Sequence, residues 1–255
     1  MKNKNPIEIN NLSHNFGGIQ AINNITFKIN SGELVGLIGP NGCGKSTTFN
    51  CLSGLIKPAE GSIFINGVNI KNYRPDQIQK LGMTRTFQHT RLWKEMTVIE
   101  NILVSENNQF SPNLLKSLLM PNSRSKEQKR INKAFEILEI LGVSKVAHNL
   151  AGNISGGQSK LVDIARAMMS EPDIILLDEP VAGVANDLAE KIFLYLRNLV
   201  TNTNTTILVI EHNMDFILRA AVDKIIVMNM GEILMEGSSN EVRKNKSVAE
   251  AYLGS

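Results

Sequence analysis

Cysteine is scarce in this 255-residue chain. The two present, Cys43 and Cys51, are too few for a disulfide framework and lack the spacing and histidine neighbours of a metal site. They fit a reducing compartment. Aromatic residues make up only 5%, which argues against a platform for stacking nucleic-acid bases. The formal net charge of +3 is likewise too small to imply binding to nucleic acid. Long apolar runs are missing as well: Ile174 to Leu177 and Ile207 to Ile210 fall far short of the ~20 residues that span a bilayer. Met1-Lys2-Asn3-Lys4-Asn5-Pro6 has no apolar stretch of the secretory kind, so a cytosolic location is expected. With 42% hydrophobic and 20% charged residues, the composition is that of a soluble globular protein.

What the chain does have is Gly39-Pro40-Asn41-Gly42-Cys43-Gly44-Lys45-Ser46, which fits G-x-x-x-x-G-K-[ST]. The apolar run Leu34-Val35-Gly36-Leu37-Ile38 leads into it, and a helix-compatible stretch from Ser46 to Leu55 leads out. That strand–loop–helix context separates a phosphate loop from an ordinary glycine-rich turn. The glycines let backbone N–H groups turn inward around a phosphate, and the helix end adds partial positive charge. Lys45 reaches the β- and γ-phosphates in such loops, and the Ser46 hydroxyl ligates Mg²⁺. A nucleoside triphosphate site is expected. The position of Cys43, beside a helix N-terminus and Lys45, also predicts a reactive thiol.

Ile7 to Leu12 and Ile25 to Ile29 alternate apolar with polar residues, and Ser62 to Ile65 ends at the turn pair Asn66-Gly67, so antiparallel strands are expected there. From Ile174 onward, apolar strands (Ile174 to Leu177, Thr206 to Ile210, Lys224 to Met228) alternate with helical stretches (Asp187 to Val200, Met214 to Ala221). That alternation predicts a parallel sheet with right-handed crossovers. The middle third, from about Thr97 to Gly142, reads as helical, with capping boxes at Thr97–Glu100 and Ser125–Gln128 and a stop at Gly142. Asn107 to Ser123 reads as an irregular insertion. The basic cluster Lys116, Arg124, Lys126, Lys129, Arg130 and Lys133 reads first as a solvated helix face and second as a surface for headgroups or an acidic partner.

Two further motifs narrow the chemistry. Ile174-Ile175-Leu176-Leu177-Asp178-Glu179-Pro180 is a buried strand that ends in adjacent carboxylates. Asp178 suits the water shell of Mg²⁺, and Glu179 suits the polarisation of an attacking water. Ile154-Ser155-Gly156-Gly157-Gln158 opens a helix, with Ser155 as N-cap and two glycines exposing N–H groups.

Together these residues resemble the nucleotide-binding subunit of an ATP-binding cassette (ABC) transporter over essentially the whole length. Gly39 to Ser46 match the Walker A motif, Ile174 to Glu179 Walker B, and Ser155 to Gln158 the signature motif. Gln88 matches the Q-loop, His212 the switch histidine, and Phe16 the aromatic that stacks on adenine, with core packing as the plainer alternative for Phe16. The resemblance implies an α/β fold: a P-loop ABC-ATPase with a parallel core sheet, an antiparallel β subdomain and a helical subdomain. It implies one nucleotide-binding domain over 1–255, with the core at about 1–87 and 171–255 and the helical part at about 88–170. ATP would lie against Phe16, Gly39, Asn41, Gly42, Gly44, Lys45, Ser46 and Thr47 of one subunit and Ser155, Gly156, Gly157 and Gln158 of another. Mg²⁺ would be held by Ser46, Gln88 and Asp178. Catalysis would rest on Glu179, His212, Gln88 and Lys45.

Thr84 to Asn101, with Arg91-Leu92-Trp93 and Met96-Thr97-Val98-Ile99-Glu100-Asn101, is similar to one ATPase subunit of branched-chain amino acid importers. That branch implies two membrane permease subunits, a second ATPase subunit that is identical or different, a periplasmic solute-binding protein and no nucleic acid. It places the chain peripherally, on the cytoplasmic face of the inner membrane. A urea or amide importer, a lipopolysaccharide exporter and a soluble non-transport ABC ATPase are the alternatives. Three positions depart from the family: Cys43 in Walker A, Lys160 where the signature helix often carries arginine, and Ala185 where the D-loop usually has Asp or Asn.

Overall fold

The computed structural model describes residues 4–86, 92–105 and 123–253. The described strands are β1 (Ile7–Phe16), β2 (Ile19–Ile29), β3 (Leu34–Ile38), β4 (Glu60–Ile65), β5 (Val68–Asn69), β6 (Met83–Arg85), β7 (Ile174–Asp178), β8 (Thr206–Glu211), β9 (Lys224–Asn229) and β10 (Glu232–Gly237). The described helices are α1 (Lys45–Leu52), α2 (Pro75–Gln79), α3 (Val98–Leu103), α4 (Ser123–Ile140), α5 (Gly156–Met169), α6 (Asn186–Thr203), α7 (Met214–Arg219), α8 (Ser239–Lys244) and α9 (Lys246–Leu253). The chain divides into two compact units: Met1–Gln88 with Pro172–Pro180 and Leu196–Ser255, and His89–Glu171 with Val181–Tyr195.

All ten of these strands lie in the first unit, in two sheets. One is antiparallel, in the order β2-β1-β4-β5. Its register sets Ile7 opposite both Ile29 and Ile65, and Ile9 opposite both Phe27 and Ile63, so period-2 alternation places one apolar row on the buried face. The other sheet runs β10-β9-β3-β8-β7-β6, parallel from β9 to β6 with β10 antiparallel at the edge. Every residue of β3, β7 and β8 is buried, which is why these strands read as unbroken apolar runs rather than alternating ones. A single core cluster joins Ile7, Ile9, Phe27 and Ile63 of the first sheet to Phe49 and Leu52 of α1 and to Leu37, Leu176, Leu208 and Ile226 of the second.

The antiparallel strands are longer than expected. β1 continues to Phe16, which pairs with Ile19 across a turn made possible by Gly17 at φ +58°. Alternation fades beyond Leu12 because the outer ends of this hairpin leave the core: Phe16 is 49% and Ile19 73% exposed.

In the second unit α3, α4 and α5 pack on one another through Val98, Ile102, Ala134, Leu138, Leu161 and Val162, all buried. Thr97 caps α3 as expected: it accepts from the Glu100 amide, and the Glu100 carboxylate accepts from the Thr97 amide. The Thr97 amide and the Thr97 hydroxyl both donate to the Glu100 carboxylate and hold it below its usual range. The second expected capping box does not form, because α4 starts at Ser123 and so places Ser125 inside the helix. Gly142 stops the chain at φ +69°, where an added Cβ would lie 2.8 Å from the Tyr195 hydroxyl. The expected insertion lies mostly outside the described residues. Part of the basic cluster is structural: Arg130 pairs with Glu127 and donates to the Leu103 carbonyl, and Lys133 bonds the Met169 carbonyl and pairs with Glu171.

Candidate functional site

Three neighbouring strands of the parallel sheet, β3, β8 and β7, end at one level. Ile38 pairs with Glu211, and Ile210 with Asp178. The chain beyond β3 is the phosphate loop, the residue beyond β8 is His212, and β7 ends on Asp178 with Glu179 next. Carboxyl ends of parallel strands are where α/β sheets build ligand sites.

The phosphate loop needs its glycines. Gly39, Gly42 and Gly44 have φ of +153°, +77° and +105°. A Cβ on Gly39 would meet the Met228 carbonyl at 2.1 Å, and one on Gly44 the Ala21 carbonyl at 2.4 Å. A Cβ on Gly42 would meet nothing within 4 Å, and Asn41, Gly42 and Ser46 are exposed, so the loop presents a free face. Lys45 is buried, at 6% exposed, and its ammonium donates to the Gly39 and Pro40 carbonyls at 2.6 and 2.8 Å. It draws the loop closed around its own side chain. Thr47 is half-buried on α1, and Thr48 anchors the helix start through the Gly44 carbonyl.

Cys43 departs from expectation. Lys45 Nζ does lie 3.6 Å from its sulfur, but the residue is only 3% exposed, because the loop folds over it. Burial leaves a reagent little access to that thiol while the loop holds, so the expected reactivity is not supported. Burial pushes the Cys51 thiol up to about 12, which makes it inert at neutral pH.

Asp178 is 8% exposed and forms an ion pair with Arg85, Nη2 to Oδ2 at 2.9 Å. Glu179 follows at φ +49°, a left-handed conformation uncommon for glutamate, and its amide donates to the Ile210 carbonyl. Strain of this kind gathers at working sites. His212 Nδ1 stands 3.9 Å from Glu179 Oε1, with the histidine half exposed. Phe16 is also half exposed and edge-on to His14, with ring centroids 4.7 Å apart, which excludes the core-packing alternative. Gln88 lies outside the described residues.

Ser155 to Gln158 belong to the second unit. Ser155 caps α5: its hydroxyl accepts from the Gln158 amide, and the Gln158 side chain accepts from the Ser155 amide. Gly156 is exposed, and Gly157 is close to Leu188, where a Cβ would sit 2.6 Å from Cδ2. The chemistry available here is a capped helix end that offers N–H groups to an anion.

Two residues near the phosphate loop escaped the sequence. Arg85 is the first. The second is Tyr252, on α9, whose hydroxyl is buried close to Gly39 and the Cys43 sulfur. Burial, and the Cys43 sulfur beside it, push its pKa up. A tyrosine more than two hundred positions from the loop carries no local signal of that contact.

The sequence profile of the ABC transporter family matches residues 22–182. The chain belongs to the ABC transporter family. It is 39% identical over 249 residues to the high-affinity branched-chain amino acid transport ATP-binding protein LivG of Escherichia coli strain K12, covering 97% of each chain. It is similar to the ADP conformation of an ATP-binding cassette of an ABC transporter, with TM-score 0.85 and 38% identity over 98% of this chain and 99% of the other. A dimeric bacterial ABC transporter cassette matches with TM-score 0.75 and 27% identity over 91% and 98%. The fold is that of an ABC ATPase cassette, an α/β protein, as expected. Among the described residues no helix is long and apolar enough to cross a membrane.

Proposed function

We propose that this chain hydrolyses ATP as one subunit of an importer for branched-chain amino acids. The observation that carries the reading is the arrival of the phosphate loop, His212 and the Asp178–Glu179 pair at the ends of three neighbouring parallel strands. The likeness to LivG across nearly the whole chain supports the cargo.

In this reading the backbone N–H groups of Gly42 and Gly44, with the amino end of α1, hold the β-phosphate. Lys45 trades its loop carbonyls for β- and γ-phosphate oxygens, and Phe16 stacks on adenine. Ser46 and Asp178 supply hard oxygen donors for Mg²⁺, joined by Gln88. Among the described residues no cluster of three or more His, Cys, Asp or Glu forms a closed cage. That sparse donor set fits Mg²⁺, which takes its other ligands from phosphates and water. When bound, the metal neutralises charge on the phosphates. Glu179 accepts a proton from the attacking water, and His212 fixes Glu179 and that water.

Ser155, Gly156, Gly157 and Gln158 serve the ATP of a second ATPase subunit, so two nucleotides are sandwiched head to tail. The dimeric cassette lends support to such a pairing. The segment from about 88 to 143 would receive two membrane permease subunits on the cytoplasmic face of the inner membrane, with a periplasmic binding protein delivering the solute. Closure is driven by the γ-phosphate, which favours the closed dimer over the open one.

Purification of the chain from native membranes in mild detergent tests the assembly. Two permeases and a second ATPase are expected to co-elute, with ATP hydrolysis stimulated by the binding protein loaded with leucine, isoleucine or valine. Stimulation by urea instead would move the cargo to amides. Elution with no membrane partner would overturn the transport reading.

A further inference from the structure

We propose that Arg85 is a positioning residue that aligns the two metal-holding elements, and this inference rests on the nucleotide reading given above. Arg85 closes β6 and is almost fully buried: 8% of its side chain is exposed. One arm of the guanidinium, Nη2, reaches Asp178 Oδ2 at 2.9 Å. The other, Nη1, donates to Asn50 Oδ1 and Ser53 Oγ, both at 2.8 Å. The guanidinium carbon also lies 5.5 Å from the centre of the Phe49 ring, in cation–π range.

Asn50, Ser53 and Phe49 belong to α1 or its C-cap, the same helix that opens with Lys45 and Ser46. Asp178 ends β7. A single rigid fork therefore ties the helix carrying Ser46 to the strand carrying Asp178, the two elements assigned to the metal. The ion pair takes Oδ2, which leaves Oδ1 as the oxygen through which Asp178 meets a metal's water shell. Asp178 is steadied further by its own amide, which donates to Thr86 Oγ1 at 3.4 Å.

A plain electrostatic role predicts the opposite behaviour. A fixed positive charge beside Asp178 repels Mg²⁺, so its removal would tighten metal binding. A positioning role depends on the fork. Lysine keeps the charge but cannot span Asp178 and the α1 acceptors together. Loss of a group that orients a metal ligand weakens metal affinity by about 10- to 100-fold.

The test is calorimetric titration of MgCl₂ into the purified, full-length, ADP-loaded chain, with ADP affinity measured separately in EDTA, for wild type, Arg85→Lys and Arg85→Met. Both variants should raise the half-saturating Mg²⁺ concentration about tenfold and leave ADP affinity in EDTA unchanged. An unchanged Arg85→Lys, or a tighter Arg85→Met, would overturn the positioning role. Equal losses with and without metal would also overturn it, by marking a general lesion of the site. Should Arg85→Met not fold, Arg85→Lys alone decides the matter. A wild-type chain that fails to bind ADP at all would instead overturn the nucleotide reading.

Discussion

His212 Nδ1 lies 3.9 Å from Glu179 Oε1, although the two residues are 33 positions apart and leave the ends of adjacent strands. That is too long for a direct hydrogen bond and close enough for both to share a water. Glu179→Gln keeps size and backbone conformation and loses only the base. It should lower ATP turnover by about 10²- to 10⁴-fold with ATP binding intact, and an ATP-bound dimer should accumulate on size exclusion. Unchanged turnover would remove Glu179 from the mechanism.

The phosphate loop makes an ordering prediction. Gly42→Ala and Gly44→Ala both force alanine to positive φ, costing about 1–2 kcal/mol. Only at Gly44 does the new methyl also strike backbone, the Ala21 carbonyl at 2.4 Å. Thermal denaturation should therefore show Gly44→Ala as clearly the less stable variant. Equal melting temperatures, or the reverse order, would contradict the described loop geometry.

Acid stability depends on Asp223. Partial burial raises its pKa, but the bidentate Arg197 fork, at 2.5 and 2.8 Å, and the Leu34 amide outweigh burial and leave it lowered. A depressed carboxylate stabilises the fold fully above its unfolded pKa of about 3.9 and loses that contribution as pH falls through the folded value. Asp223→Asn should cost about 1 kcal/mol at pH 7, since solvent screens this half-exposed pair. The gap from wild type should stay flat between pH 5 and 8 and close only in the acid limb below about pH 4. Denaturant midpoints across pH measure it. A gap that persists or widens in acid would exclude the ion pair as its source.

Much of the site was legible because it is built from short-range chemistry. Each of Gly39–Ser46, the Asp178–Glu179 pair and the Ser155 cap needs only its own strand or helix to be recognised. The run Met96 to Asn101 also proves to be physics: Thr97 and Glu100 cap α3, while fully buried Asn101 bonds Trp93 and Thr97. Arg85 and Tyr252 were illegible for the opposite reason. The meaning of each comes from partners on other elements, 93 positions away for Arg85 and Asp178. The reactive Cys43 failed because a motif says where a thiol lies in the chain, not what covers it.

Ala185 shows what a missing side chain leaves undone. Its carbonyl accepts from the Leu188 and Ala189 amides, so it is the N-cap of α6, and Asn186 is already helical. Ala185→Asp should stabilise the fold by about 0.5–2 kcal/mol, seen as a raised melting temperature. No change, or a loss, would contradict the cap assignment.

The central claim is that hydrolysis by this chain drives uptake of branched-chain amino acids. Uptake of radiolabelled leucine by cells that lack the chain, complemented with wild type or Glu179→Gln, tests it most directly. The account predicts uptake restored by wild type and absent with Glu179→Gln. Uptake that is undiminished without the chain, or restored equally by Glu179→Gln, would contradict it.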